Sequence, residues 1–181
     1  MSFKSKILAA TALAVLAVPA FAANPQVGGA DMFEEKNIVE NAINSADHTT
    51  LVAAVKAAEL VDTLMTPGPF TVFAPVNAAF EKLPAGTVET LLKPENKAML
   101  QKILTAHVVA GDISAADIKR RADRNGFYNM QTVSGDALTA QVKGKNIYLF
   151  DESGDVGKIT IADVNQSNGV IHVVDTVLVP K

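Results

Sequence analysis

Hydrophobic residues in the first half of the chain recur at the spacing of a helix. Leu51 is followed by Val52, Val55 and Ala58, which places apolar side chains at positions i, i+1, i+4 and i+7 of one helical face. The polar residues 45–50 come directly before this set and supply several candidate N-caps. The pattern predicts an amphipathic helix that packs on a core.

Two further helices are expected, one near Asn37 and a longer one from Asn96. The apolar face of the longer helix has the spacing i, i+3, i+4 and i+7, with residues Leu100, Ile103, Leu104 and His107. Between the helices, residues 67–69 break the pattern and residues 70–73 have strand composition. Pro75 ends that strand, and Asn77 is the expected cap of a short helix that reaches Leu83.

The second half of the chain changes to short runs rich in β-branched residues and separated by glycine turns. These runs cover residues 128–133, 138–142, 146–150, 158–164 and 170–179. The turn dipeptide Asn168-Gly169 joins the last two at hairpin spacing. Because helices come first and strands afterwards, the order disfavours a doubly wound parallel sheet and predicts an α+β fold with largely antiparallel strands.

The first 22 residues have the pattern of a secretory signal peptide. Lys4 and Lys6 precede an apolar run at residues 7–18, and Ala20 and Ala22 fill the small positions before a cleavage site. The apolar run is shorter than the roughly 20 residues that a membrane-spanning helix needs. We expect export with cleavage after Ala22, a flexible segment at residues 23–36, of which residues 24–31 have little to bury, and one domain at residues 37–181.

Charge and cysteine content narrow the functional classes. Loss of Lys4 and Lys6 would leave 14 basic against 19 acidic residues, so nucleic acid is not an expected partner. The sequence contains no cysteine, which excludes disulfides, thiolate chemistry and a lipid-bearing cysteine. The expected location is therefore the periplasm or the medium, and the sequence does not choose between them.

No pattern of catalytic or metal-binding residues stands out. The three histidines lack the spacing of a zinc motif, and phosphate-loop, dinucleotide and nucleophile-elbow motifs are absent. His172 and Asp175 could join a serine in a triad, but His172 lies in a strand that is apolar on both faces. A buried histidine bonded to the backbone is the favoured interpretation for His172 and for His107. No catalytic residue, cofactor or metal is expected.

Two long stretches resemble the signature boxes of the fasciclin domain. They are residues 71–80, TVFAPVNAAF, and residues 168–180, NGVIHVVDTVLVP, and they occur in the family's order and at about its spacing. The resemblance extends from about Asn37 to Lys181. It implies helices packed on a small, mostly antiparallel β-sandwich or wedge. Val76 replaces the usual Thr or Ser of the first box, which shifts the expected helix cap to Asn77.

The resemblance also implies candidate partner-binding residues. An Asp-Ile pair linked to cell attachment in animal relatives matches Asp163 and Val164 here, and a Tyr-His pair matches Ala106 and His107. We expect Asp163 and Val164 on an exposed loop, with the arginine loop at residues 120–124 or an apolar groove near His107 as other candidates.

These observations favour a non-catalytic, extracytoplasmic binding or adhesion module with a surface, matrix polymer or protein as its partner. The alternative is a carrier of an apolar small molecule, a carotenoid or a lipid, because 49% of the residues are hydrophobic. A hydrolase built on His172 and Asp175 ranks last.

Overall fold

The computed structural model describes residues 24–180, and its seven α-helices precede most of the strands. The helices are α1 Ile38–Ala42, α2 Thr49–Ala57, α3 Val61–Met65, α4 Asn77–Phe80, α5 Thr87–Leu91, α6 Lys97–Thr105 and α7 Ala115–Arg121. Short 3₁₀ turns, Ala46–His48 and Pro94–Asn96, lead into α2 and α6. The helices predicted near Asn37, after residues 45–50 and from Asn96 are confirmed. No helix within residues 24–180 has the length and apolarity to cross a bilayer.

Seven strands in this part of the chain form one mixed sheet. They are β1 Phe70–Pro75, β2 Val108–Ala110, β3 Phe127–Gln131, β4 Ala137–Lys143, β5 Asn146–Phe150, β6 Val156–Gln166 and β7 Gly169–Val174. Their order across the sheet is β2-β1-β7-β6-β5-β4-β3. All neighbours run antiparallel except β1 and β7, whose parallel register sets Phe73 opposite His172. The predicted α+β class is confirmed.

Side chains of the central strand β1 point alternately to the two faces of the sheet, and each face packs against its own core. Val72 and Ala74 face a core shared with α2 and α6, whereas Phe73 faces a second core between the sheet and α7. Ile118 of α7 and Leu149 of β5 are fully buried in this second core. Side chains of a strand point alternately to opposite faces, so one apolar strand serves both layers.

The two edge strands of the sheet approach each other. Val109 of β2 forms an isolated bridge to Thr132, just past β3, and the Val133 N–H donates to the Val108 carbonyl at 2.7 Å. This contact curls the sheet around the second core and covers part of both edges, which are otherwise open to pairing with other chains.

Asn77 caps a different helix from the predicted one. The N-cap of α4 is Val76, which makes no side-chain capping bond. The Asn77 side chain instead accepts from the Thr50 N–H at 3.0 Å and donates to the Ala46 carbonyl at 2.9 Å. Asn77 therefore supplies the capping bond at the start of α2, where the local N-cap, His48, makes none.

Both ends of the described chain differ from expectation. Val27 is only 4% exposed and belongs to the core with α2, so the expectation that residues 24–31 bury little is wrong. Strand β7 ends at Val174, not at Val179, although Val177 and Leu178 continue into the core as irregular backbone. The expected signal peptide lies outside the described residues.

Candidate functional site

His172 is held by backbone groups on both ring nitrogens. Nε2 donates to the Ile113 carbonyl at 2.8 Å, and Nδ1 accepts from the Asp163 N–H at 3.2 Å. The ring also stacks on Phe73, with centroids 5.6 Å apart. Burial lowers the pKa of His172, against smaller opposing effects of the Ile113 carbonyl and the Asp163 carboxylate. The ring is therefore neutral at pH 7, with its proton on Nε2.

His107 has the opposite proton placement. Nδ1 donates to the Ile103 carbonyl at 2.8 Å, one turn back in α6, and Nε2 accepts from the Leu178 N–H at 2.9 Å. Burial lowers the pKa of His107 as well. The ring joins the end of α6 to the irregular C-terminal segment. The prediction of a buried, backbone-bonded histidine is confirmed for both His107 and His172.

His48 completes the set of buried histidines. Its Nδ1 lies 2.9 Å from the Ser45 hydroxyl, and its Nε2 has no hydrogen-bond partner within residues 24–180. Burial is the main effect that lowers the pKa of His48. All three histidines of the chain thus favour the neutral form in the folded state.

The geometry around His172 does not form a catalytic triad. The Asp175 carboxylate accepts from the Lys158 N–H at 2.8 Å and from the Thr176 hydroxyl at 3.0 Å, not from the imidazole. A triad needs one ring nitrogen on the acid and the other on a nucleophile. Both nitrogens of His172 are occupied by backbone groups, and the side chain is 0% exposed. The residues proposed for a hydrolase therefore lack the required arrangement.

The expectation that Asp163 and Val164 lie on an exposed loop is wrong. Both residues lie in β6, where the pairing with β7 shifts register between Ile161 and Val164. Asp163 has a positive φ of 58°, and its half-buried carboxylate accepts from the Ala115 N–H, the first of α7, at 2.7 Å. Val164 is 0% exposed because the bulge turns it into the helix-facing core.

These positions remove two of the three candidate residues from the accessible surface. Val164 and His107 have no side-chain surface that a partner could contact in this conformation, because both are packed in the interior. The expectation of a loop is wrong for Arg120 and Arg121, which end α7; Arg120 pairs with Asp117, and Arg121 donates to the Tyr128 hydroxyl at 2.9 Å. A role of Asp163 in binding stays a prediction.

An apolar groove lies between the helices and the first strands. It encloses about 830 Å³ of space, including its opening to solvent. One wall is built from α1, α2 and α3, and the other from β1, the end of α6 and Val133. Val133 lies at the rim and is 51% exposed, whereas His107 is buried in the wall. The apolar groove near His107 therefore exists.

The sequence pattern did not indicate the wall formed by α1 and α3. Ile38, Val39, Val61 and Leu64 line the groove together with the predicted face of α2. The available signal was an excess of apolar residues between Leu60 and Met65, more than one packed face of a five-residue helix can bury. No cluster of three or more potential metal ligands occurs within residues 24–180.

Comparison with known proteins places this architecture in a family. A profile of the fasciclin domain matches residues 46–180. Protein sll1483 of Synechocystis is 52% identical over 79% of this chain and 73% of its own length. The cell surface glycolipoprotein MPB83 of Mycobacterium bovis is 39% identical over 67% of this chain and 48% of its own.

A solved structure confirms the fold. A FAS1 domain pair from the insect cell adhesion molecule fasciclin I superposes with a TM-score of 0.70 at 16% identity. The match covers 79% of this chain and half of that one, so this chain corresponds to one half of the pair. The two signature stretches, the helix-then-strand order and the matched residues agree, and the chain belongs to the fasciclin domain family.

Proposed function

We propose that this chain is a non-catalytic binding module that acts outside the cytoplasm and attaches to a surface, a matrix polymer or a protein. The apolar groove carries the proposal, because it opens to solvent between the helices and the first strands and is lined almost entirely by apolar side chains. Membership of the fasciclin family and the cell-surface location named for one relative support it.

The rim of the groove offers a direct test. Val133→Asp places a charge at a half-exposed position, where a partner would have to desolvate it. Attachment to washed cells of the producing organism should fall at least about tenfold, which corresponds to about 1.4 kcal/mol. Thermal unfolding followed by circular dichroism checks that the variant is folded.

Val156→Asp is the matched control, because Val156 is also an exposed valine, at 45%, and does not line the groove. It adds the same charge and should leave attachment unchanged. Equal loss in both variants, or no loss in either, would contradict the assignment of the groove.

The second candidate function is carriage of an apolar small molecule such as a carotenoid or a lipid. The observation that favours it is the lining of the groove, which is almost entirely apolar, as in most small-molecule sites. Absorption and mass spectra of protein purified from its native host separate the two functions. A bound chromophore or lipid supports carriage, and a colourless, ligand-free product supports attachment.

Both functions require export, which we propose to proceed through cleavage after Ala22. The expected mature N-terminus is Ala23, since Ala20 and Ala22 occupy the small-residue positions before it. Intact mass of the exported protein measures this directly. A mass that still includes Lys4 and Lys6 would reject the cleavage site.

A further inference from the structure

A polar cleft opens where strands β5 and β6 separate. Their ladder joins residues 148–150 to residues 156–158 and includes no pair beyond Tyr148 and Lys158. Past that point β6 continues along β7, with two register shifts before Val164. The separation leaves about 670 Å³ of space, open to solvent, with α7 along its side. The cleft shares no lining residue with the apolar groove.

Three lysines from three different elements surround this cleft. Lys119 comes from α7, Lys145 from the turn between β4 and β5, and Lys158 from β6. None of them makes an ion pair within residues 24–180. No acidic residue lines the cleft, although acidic residues outnumber basic ones in the whole chain. The local charge is therefore opposite in sign to that of the molecule.

Two carboxylates accept hydrogen bonds from backbone groups of residues that line the cleft. Asp163 accepts from the Ala115 N–H, and Asp175 accepts from the Lys158 N–H. A third carboxylate, that of Asp117, forms an ion pair with Arg120 within α7. Within residues 24–180 none of these carboxylates forms a salt bridge with a lysine of the cleft, so the three lysines line an open space with their ammonium groups free of ion pairs.

The remaining lining adds polar groups suited to oxygen ligands. Asn146 is exposed at the cleft, and its amide makes no hydrogen bond to residues 24–180. The Thr160 hydroxyl donates to the Val173 carbonyl at 3.2 Å. Lysine ammonium groups bind phosphate and sulfate as point charges, and an amide adds a directional donor. A ligand that bears more than one such group can contact more than one of the three lysines.

We infer that this cleft, which we call the lysine cleft, binds a small ligand that carries two or more oxyanion groups, as phosphates or as sulfate esters. The inference goes beyond attachment through the apolar groove and does not depend on it. Free phosphates and sulfated saccharides present the same chemistry, and separate probes distinguish these sources.

Titration of the ¹⁵N-labelled chain at low ionic strength tests the site with three probes: inorganic phosphate, pyrophosphate and a sulfated disaccharide. We expect shifts in the amide signals of residues 145–147 and 158–162 with at least one probe. Pyrophosphate should bind more tightly than phosphate because it reaches more than one lysine. Binding by the disaccharide alone would identify a sulfated saccharide as the source, and binding by pyrophosphate would identify a free phosphate.

Lys119→Gln/Lys145→Gln removes two exposed charges from the lysine cleft and should weaken binding about fivefold or more. Lys56→Gln/Lys93→Gln makes the same charge change at exposed lysines outside it and should leave binding within about twofold. Equal weakening in both pairs would show a general charge effect and overturn the site. Absence of shifts at the named amides with all three probes would overturn it as well.

Discussion

At the scale of single residues, the chain uses neutral histidines as internal connectors. His172 joins β7 to the loop before α7 and to β6, because its two ring nitrogens accept and donate in different directions. A neutral imidazole is suited to this task, since one nitrogen donates and the other accepts. Sequence predicted the burial of His172 from its apolar neighbours. It could not identify Ile113, which is 59 positions away, or the register shift in β6 that brings the Asp163 N–H to the ring.

His172→Ala should lower the free energy of unfolding by about 3 kcal/mol. The substitution leaves the Ile113 carbonyl and the Asp163 N–H unpaired in the interior and opens a cavity beside Phe73. Urea unfolding followed by circular dichroism measures the change. Val156→Ala, at an exposed position, should change stability by less than about 0.5 kcal/mol. An unchanged midpoint for His172→Ala would contradict the structural role.

Asp163→Ala should destabilise the fold by about 2 kcal/mol. The variant loses the bond to the Ala115 N–H and places alanine at a positive φ. Asp163→Asn keeps an acceptor oxygen and tolerates that backbone conformation, so its loss should be much smaller. The urea midpoints of the two variants show whether the acceptor oxygen and the backbone conformation account for the loss of stability. Equal losses would show that the negative charge, not the acceptor and the backbone, matters here.

At the scale of elements, the sequence identified side chains that cap helices but not always the helix that each one caps. Asn77 was predicted as a helix cap and is one, but it caps α2, which begins 28 residues earlier. Propensity marks a residue as a good acceptor for free N–H groups, and only tertiary packing decides which helix it reaches. The same limit applies to Asp163, which the family resemblance places on an exposed loop although its carboxylate accepts from the first N–H of α7.

The turn between β6 and β7 was predicted correctly from the local sequence alone. Asn168 and Gly169 follow β6 as expected, and the Asn168 side chain also accepts from the Ile38 N–H and donates to the Leu64 carbonyl. Gly169 has a φ of 148°, and a Cβ there would lie 1.9 Å from the Phe70 carbonyl oxygen. This turn therefore joins the hairpin to α1, α3 and β1.

Gly169→Ala should destabilise the fold by more than about 3 kcal/mol, because the new methyl group meets β1 backbone that cannot move aside. Gly154→Ala is a matched control: its φ is also positive, at 88°, but nothing lies within 4 Å of the added Cβ. Its loss should be about 1 kcal/mol. Thermal unfolding of the two variants compares them, and similar midpoints would contradict the close approach of the turn to β1.

At the scale of the whole molecule, the sequence predicted the class and most strands, but not their order in the sheet. Hairpin neighbours such as β4 and β5 follow from short glycine turns. The pairing of β1 with β7 joins residues about a hundred positions apart, and no local signal specifies it. The apolar groove and the lysine cleft depend on this long-range arrangement. For that reason the lysine cleft could not be located from the sequence, and the apolar groove could be expected only near His107, without its walls.

Stability of the whole domain should fall as the pH drops below about 6.5. The folded pKa values of His48, His107 and His172 are lowered from 6.5, so the unfolded chain binds more protons in this range. The neutral histidines therefore stabilise the folded state fully above pH 6.5, and this stabilisation decreases as the pH falls below 6.5. Three such groups can remove up to about 4 kcal/mol between pH 7 and pH 5.5.

Urea midpoints at pH 7.5, 6.5 and 5.5 measure this dependence. The lowered pKa of Asp117, caused first by the Ser114 hydroxyl bond, acts only at more acidic pH and does not enter this range. A midpoint that stays constant down to pH 5.5 would contradict the neutral state of the buried histidines.

The parallel pairing of β1 with β7 has a consequence for the order of synthesis. A ribosome releases β1 early, but the strand that lies between β1 and β6 emerges only with residues 169–174. Until then β1 lacks one of its two neighbours, and the helix-facing core lacks Ile171 and Val173. A growing chain therefore cannot close this domain before nearly all of it has been made. This delay leaves the sheet in two separate parts until the end of elongation.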